Sequence, residues 1–196
     1  IKTLDSFPQE HTEIDESFRM PVQDIYDFIK SEYKGKIIAG RICTGTLNAG
    51  DEICFYPSTR KDIVKKIVQF GETSKKTAYA GESVGLILGH DTLAERGDIA
   101  AKSGENCPYS VNRFLASIFW LNNIPLIKNK KYILKLGACR VEMHVEEICK
   151  VINSSDLKIQ NNKGFVNHHN VAECIIKTNR KIALDLSEKS IQTGRF

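Results

Sequence analysis

Gly40-Arg41-Ile42-Cys43-Thr44-Gly45-Thr46-Leu47-Asn48-Ala49-Gly50-Asp51-Glu52-Ile53-Cys54-Phe55-Tyr56-Pro57 is the stretch that decides the fold class. The apolar run at 37–43 reads as one strand, and 52–57 reads as the next, closed by Pro57-Ser58. Residues 44–51 lie between them as a turn. Gly45 and Gly50 bracket the reversal, because glycine takes positive φ at little cost. Asp51 is placed to satisfy backbone donors inside it.

The same habit runs outward in both directions. Residues 18–23 open a strand, 61–70 form another that ends at Gly71-Glu72, and 84–88 follow the turn Ala80-Gly81-Glu82-Ser83. Gly81 and Gly85 suit a strand bending at a barrel corner, where a side chain would crowd. Residues 91–97 are a connection and 98–101 a last short strand. Short strands at this spacing, with no long helical period among them, predict an all-β barrel or sandwich.

Polar residues 102–106 mark a boundary, and the pattern then resumes. Residues 111–121 are a long, mostly apolar run broken by Asn122-Asn123-Ile124-Pro125. Residues 131–136 alternate. Residues 139–148 alternate apolar and polar over ten positions, the period of a half-buried strand. Residues 167–177 are a further strand led in by polar residues, and 193–196 read as the start of another. The expected organisation is a linker at 1–17, a first β-barrel at 18–103 and a second at 107–196, cut within its last strand. Because the chain opens without Met, it reads as a piece of a longer polypeptide.

Composition narrows the function classes. The 196 residues carry 28 Lys plus Arg against 24 Asp plus Glu, a formal net charge of +4. That is modest for a nucleic-acid binder. The basic groups (Arg60-Lys61 with Lys65-Lys66, Lys75-Lys76, and Lys128 with Lys130-Lys131) read as solvated loops and strand faces, since few aromatics interleave them. Six cysteines form no C-x-x-C pair and no zinc spacing. Several sit in apolar runs and read as buried, reduced thiols of a cytosolic protein. No apolar run approaches the ~20 residues of a membrane span.

The sequence offers few chemical groups in a catalytic pattern. His168-His169 would point to opposite faces of a strand and could not easily share a metal; with Asn167 and Asn170 beside them they read as a solvated loop. His144 shares a strand face with Glu142 and Glu146, an acid/base cluster only if it lies in a cleft, and otherwise an exposed polar face. His90-Asp91 with Glu95-Arg96 reads as a structural loop. Ser58, Ser83 and Ser110 lack a nucleophile-elbow context. Phe114, Phe119 and Trp120 read as barrel core and interdomain packing. No residue is assigned a catalytic, cofactor-binding or metal-binding role.

Three phrases resemble the barrels that follow the GTPase domain in the elongation factor Tu/1α family. Phe18-Arg19-Met20-Pro21-Val22-Gln23-Asp24 is similar to the opening strand of the family's second domain. Gly40-Arg41 through Asp51-Glu52 is similar to its hairpin. Gly81-Glu82-Ser83-Val84-Gly85-Leu86 with Arg96-Gly97-Asp98-Ile99 resembles its closing strands. Asn170-Val171-Ala172-Glu173, Ile182-Ala183-Leu184-Asp185 and Thr193-Gly194-Arg195-Phe196 resemble the third domain. The phrases at 18–24, 55–58 and 64–67 lean toward the GTP-binding large subunit of sulfate adenylyltransferases, which make adenylyl sulfate from ATP and sulfate.

The resemblance implies two consecutive non-catalytic barrels in the cytoplasm. It also implies a GTPase domain N-terminal to Ile1 that uses GTP and magnesium, a small catalytic subunit as partner, and in some members an adenylylsulfate kinase domain downstream. The alternative it leaves open is a pair of tRNA-binding barrels from a translation elongation factor. The sequence itself holds no G-x-x-x-x-G-K-[ST] loop, so these residues provide no phosphate cradle.

Overall fold

The computed structural model describes residues 14–28, 35–69, 72–90, 94–155, 157–161 and 164–196. The chain divides into two units, Ile1–Cys107 and Pro108–Phe196. The expected linker at 1–17 lies almost wholly outside the described residues.

The first unit holds β1 (Arg19–Phe28), β2 (Gly35–Arg41), β3 (Thr46–Asn48), β4 (Glu52–Tyr56), β5 (Arg60–Gln69), β6 (Glu72–Lys75), β7 (Thr77–Tyr79), β8 (Ser83–Leu88) and β9 (Ile99–Lys102). The ladder runs β4-β9-β1-β2-β8-β5 and returns from β5 to β4, so six antiparallel strands close on themselves. Closure leaves those six strands without a free edge. Phe18, Met20, Ile53, Phe55, Ile67 and Leu86 fill the interior and are fully buried.

Two glycines permit this closure. Gly45 has φ +77°, and a Cβ there would meet Phe18 Cα at 2.6 Å. At Gly85 a Cβ would meet Ile37 Cγ2 at 2.5 Å and Val68 Cγ2 at 2.9 Å. The crowding expected at Gly85 is therefore present. Asp51 accepts from the Asn48 amide at 2.8 Å, as the reading of the hairpin required. The segment 44–51 is more than a turn, however. Thr46–Asn48 pairs with Thr77–Tyr79, and Leu47 is driven fully inside. The partner of this short strand is about thirty positions away, so no local pattern announces it.

The second unit holds β10 (Tyr109–Phe119), β11 (Leu126–Ile127), β12 (Lys131–Leu136), β13 (Cys139–Asn153), β14 (Ile159–Asn161), β15 (Phe165–Val166) and β16 (Asn170–Leu184), then a helical turn α1 (Ile191–Gly194). The main ladder is β10-β16-β13-β12, with β14 on the far half of β13 and β11 paired to β15. β13 alternates buried and exposed residues from Cys139 to Val145, as its sequence predicts. Bulges follow at Val145/Glu147 and Ile148/Lys150 and bend the strand. One core cluster gathers Leu126, Val145, Ile148, Val166 and Cys174; another gathers Leu134, Leu136, Val141, Met143, Ile176 and Ile182.

The strand expected at 193–196 is corrected. Ser190 caps α1, accepting from the Thr193 amide at 3.4 Å, and the Thr193 hydroxyl donates to buried Asp185 at 2.7 Å. Gly194 packs so closely that a Cβ would meet Ser187 N at 2.7 Å. These local polar bonds outcompete an extended chain at this point.

All six cysteines are free. Cys54, Cys139 and Cys174 are buried as expected, whereas Cys43 and Cys149 are half-buried and Cys107 is exposed. Burial pushes the Cys174 thiol up to about 11, which keeps it protonated and unreactive near neutral pH.

Candidate functional site

The sequence-derived candidates are scattered over both units. In the first unit, the His90 ring nitrogen Nδ1 lies 3.1 Å from Asp62 Oδ1, and the His90 amide donates to Asp62 Oδ2 at 3.1 Å. Asp62 also accepts from the Ile63 amide at 2.7 Å, and Gly89 donates to the Ile63 carbonyl at 2.9 Å. The carboxylate is fully buried, while the imidazole is exposed. This constellation ties the end of β8 to β5. Asp91, the partner suggested by sequence, lies outside the described residues.

In the second unit, His144 is half-buried on the polar face of β13. Register places Lys131 of β12 and Lys177 of β16 directly beside it, and Arg113 of β10 beside Lys177. Lys131 reaches Glu142 at 3.5 Å, and Arg113 donates to Glu146. The Arg113 hydrogen bond holds the Glu146 carboxyl below the usual carboxylate range. Of the three residues, Glu142 is exposed while His144 and Glu146 are half-buried, on a face laced by ion pairs.

His168 and His169 form an exposed turn, as expected, but the geometry differs from that of two neighbours on a strand. His169 takes φ +60°, and the two rings lie 3.6 Å apart between centroids. The left-handed residue undoes the strand alternation and brings both imidazoles to one side. Phe119 stacks on His169 at 6.2 Å. The reading of Phe119 as core is thereby corrected: β10 alternates, and Phe119 falls on its outer side, exposed. Phe114 and Trp120 face inward and are partly buried against the clusters. Trp120 Nε1 donates to the Ile124 carbonyl at 2.8 Å, and its ring meets Tyr132 edge-on at 5.8 Å.

One feature was not legible in sequence. A groove of about 570 Å³ runs between β10 and β12, lined by Val111, Phe114, Leu134, Leu136, Leu184 and Phe196 among others. Its walls are mainly apolar, with Asp185 and Arg195 among the lining residues, and they come from segments far apart in the chain. Among the described residues, no group of three or more His, Cys, Asp or Glu stands ready to hold a metal ion. No helix of the described residues is long and apolar enough to cross a membrane.

Residues 35–101 match the family model of elongation factor Tu domain 2, and residues 113–196 match that of the GTP-eEF1A C-terminal domain-like family. Each of the two units thus carries a stretch similar to a domain of elongation factor Tu/1α-type proteins. It is 29% identical over 92% of its length to sulfate adenylyltransferase subunit 1 of Alteromonas mediterranea, covering 37% of that protein. It is 27% identical over its full length to the bifunctional enzyme NodQ of Rhizobium sp. (strain N33), covering 29% of that protein. The chain therefore spans about a third of the length of these relatives. Crystal structures of sup35 share the fold; in the GDP complex the TM-score is 0.84 over 99% of this chain and 47% of that one, at 17% identity. The fold expected from sequence, all-β domains of the elongation factor Tu domain 2 and domain 3 type, is the fold observed.

Proposed function

We propose that the chain is the non-catalytic barrel region of the GTPase subunit of a sulfate adenylyltransferase. The observation that carries this reading is the similarity to sulfate adenylyltransferase subunit 1, which covers 92% of this chain or more and so extends over both units. In this reading a separate GTPase domain of the same protein binds GTP and magnesium. The barrels hold the small catalytic subunit that forms adenylyl sulfate from ATP and sulfate, and they link its activity to the nucleotide state. An adenylylsulfate kinase domain in the same polypeptide is compatible with the likeness to a bifunctional relative. The site of action is the cytoplasm.

The physical basis is the division of labour that the geometry allows. His90, His168 and His169 are exposed, buried Asp62 ties a loop to β5, and Glu142 and Glu146 are engaged in ion pairs. Large apolar side chains, by contrast, stand exposed on the second unit, which suits contact with another protein. The test is a binding experiment between the chain and the small catalytic subunit of the same organism's sulfate adenylyltransferase. A stable complex is expected. Absence of binding with both this chain and the full-length protein would sink the reading.

A further inference from the structure

The end of the second unit where β10 runs out carries a concentration of exposed apolar side chains. Phe119 is 53% exposed, Leu121 64% and Ile124 62%. Beside them lies the small ribbon of β11 and β15. Its register pairs Leu126 with Val166, both fully buried, and Ile127 with Phe165, which are 42% and 43% exposed. One face of the ribbon therefore enters the core, and the other presents an apolar cross-strand pair outward.

These residues stand on a framework that is tied down. The Trp120 amide donates to the Asn170 carbonyl at 3.0 Å, and the His169 amide donates to the Trp120 carbonyl at 2.7 Å. Trp120 Nε1 fixes the loop through Ile124, and Tyr132 Oη accepts from the Ile127 amide at 2.7 Å. Because the backbone at this end is held in place, contact costs little further loop ordering.

Charge on the two segments is one-sided. Residues 117–131 and 164–172 contain no Asp or Glu, and they carry Lys128 and Lys130, with Lys131 paired to Glu142 on the neighbouring strand. An apolar patch edged by cations complements an apolar surface edged by carboxylates. We propose that this end of the second unit is a docking face for a protein surface with apolar side chains ringed by acidic residues. The inference rests on the partner-holding reading above and names the face through which the partner is held.

Aromatic rings beside lysines also suit single-stranded RNA. Here the rings are turned toward one another: Phe119 stacks on His169, and His169 on His168. The rest of the exposed surface is largely aliphatic, so it offers bases little to stack on. A protein partner fits better.

The test uses the 196-residue chain as wild type, as Leu121→Asp/Ile124→Asp, as Phe165→Asp, and as Ile63→Asp on β5 of the first unit. Each changes exposed positions only, and each is checked for an unchanged melting midpoint. If the double variant melts early, Leu121→Asp alone replaces it. All are titrated with the small catalytic subunit and, separately, with bulk tRNA. Wild type and Ile63→Asp are expected to bind the subunit alike, and the patch variants to bind it about tenfold or more weakly. Patch variants that bind as tightly as wild type overturn the docking face and leave the proposed function standing. A wild-type chain that does not bind the subunit overturns the docking face, and the proposed function falls with it when the full-length protein does not bind either. Binding of tRNA that the patch variants lose overturns the protein partner in favour of RNA.

Discussion

The two units solve the problem of strand edges differently. In the first, six strands close and every edge of the cylinder is paired. In the second, the ladder stops at β10 on one side and β12 on the other among the described residues, and a mainly apolar groove of about 570 Å³ lies between those two strands. Both use bulged antiparallel strands with one apolar face. The difference teaches that alternation sets which side of a strand faces inward, whereas closure depends on which strands meet. In the first unit the chain can return from β5 to β4 because β8, β2 and β1 pack without interior Cβ atoms at the tightest crossings.

The largest expected effect strikes the closed unit. Gly45→Val combines a left-handed backbone with a collision against Phe18 and Glu16 backbone atoms. It should cost about 4 kcal/mol or more and unfold the first unit, read by urea denaturation. Gly104 is also at positive φ, but nothing lies within 4 Å of where a Cβ would stand, so it provides the contrast. Gly104→Ala should cost only about 1 kcal/mol. Similar losses at the two positions would show that close approach is not what the barrel demands at Gly45.

A second pair of variants compares the two interiors. Phe55→Ala empties a fully enclosed site and should cost about 3–5 kcal/mol. Phe114→Ala removes a partly buried ring at the groove, beside Phe196, and should cost roughly half as much, because water already reaches that wall. Equal losses would mean that the groove is as well packed as the barrel.

Exposed strand edges invite pairing between molecules. The chain is expected to self-associate with rising concentration through the second unit, measured by sedimentation velocity. Leu115→Lys, on the edge strand β10, should reduce that association, while Ile63→Lys in the closed unit should leave it unchanged. Retention of the association in Leu115→Lys would move its cause away from this edge.

The smallest effect is electrostatic. Arg113 holds the Glu146 carboxyl below its usual range. A carboxylate depressed in the folded state adds stability above the ordinary carboxylate pKa of about 4, and that contribution fades as the pH falls through the lower folded value. Arg113→Gln should therefore narrow the stability difference between pH 6 and pH 3, seen in parallel melts. The pair is exposed, so the change should be slight. An unchanged pH dependence would mean that solvent screens the pair entirely.

Much of the fold was legible residue by residue. Residues 131–136 alternate and form β12 with those limits, and the ten-residue alternation at 139–148 lies within β13. The hairpin at 44–51 announced its glycines and its Asp51. Less legible were β3, β7, β11 and β15, each two or three residues long, because a strand that short has no period of its own. The candidate residues were legible as types and not as places. His168 and His169 were read through strand alternation, which a single left-handed residue cancels. Phe119 was read through its hydrophobicity, although its strand position turns it outward. The patch it joins depends on Ile127 and Phe165, residues nearly forty positions apart that only the ribbon brings together.

The sequence by itself determined that this chain is all-β, that it falls into two strand-rich stretches, and which family its phrases resemble. These follow from local causes: period-2 burial, glycine where φ is positive, and proline where a strand must stop. Tertiary structure decided the rest: that one ladder closes while the other leaves β10 and β12 apart, that Asp62 is buried under His90, and that exposed apolar residues from separate segments share one end of the second unit. Those outcomes depend on pairings across dozens of residues, where the free energy lies in contacts that no local pattern encodes.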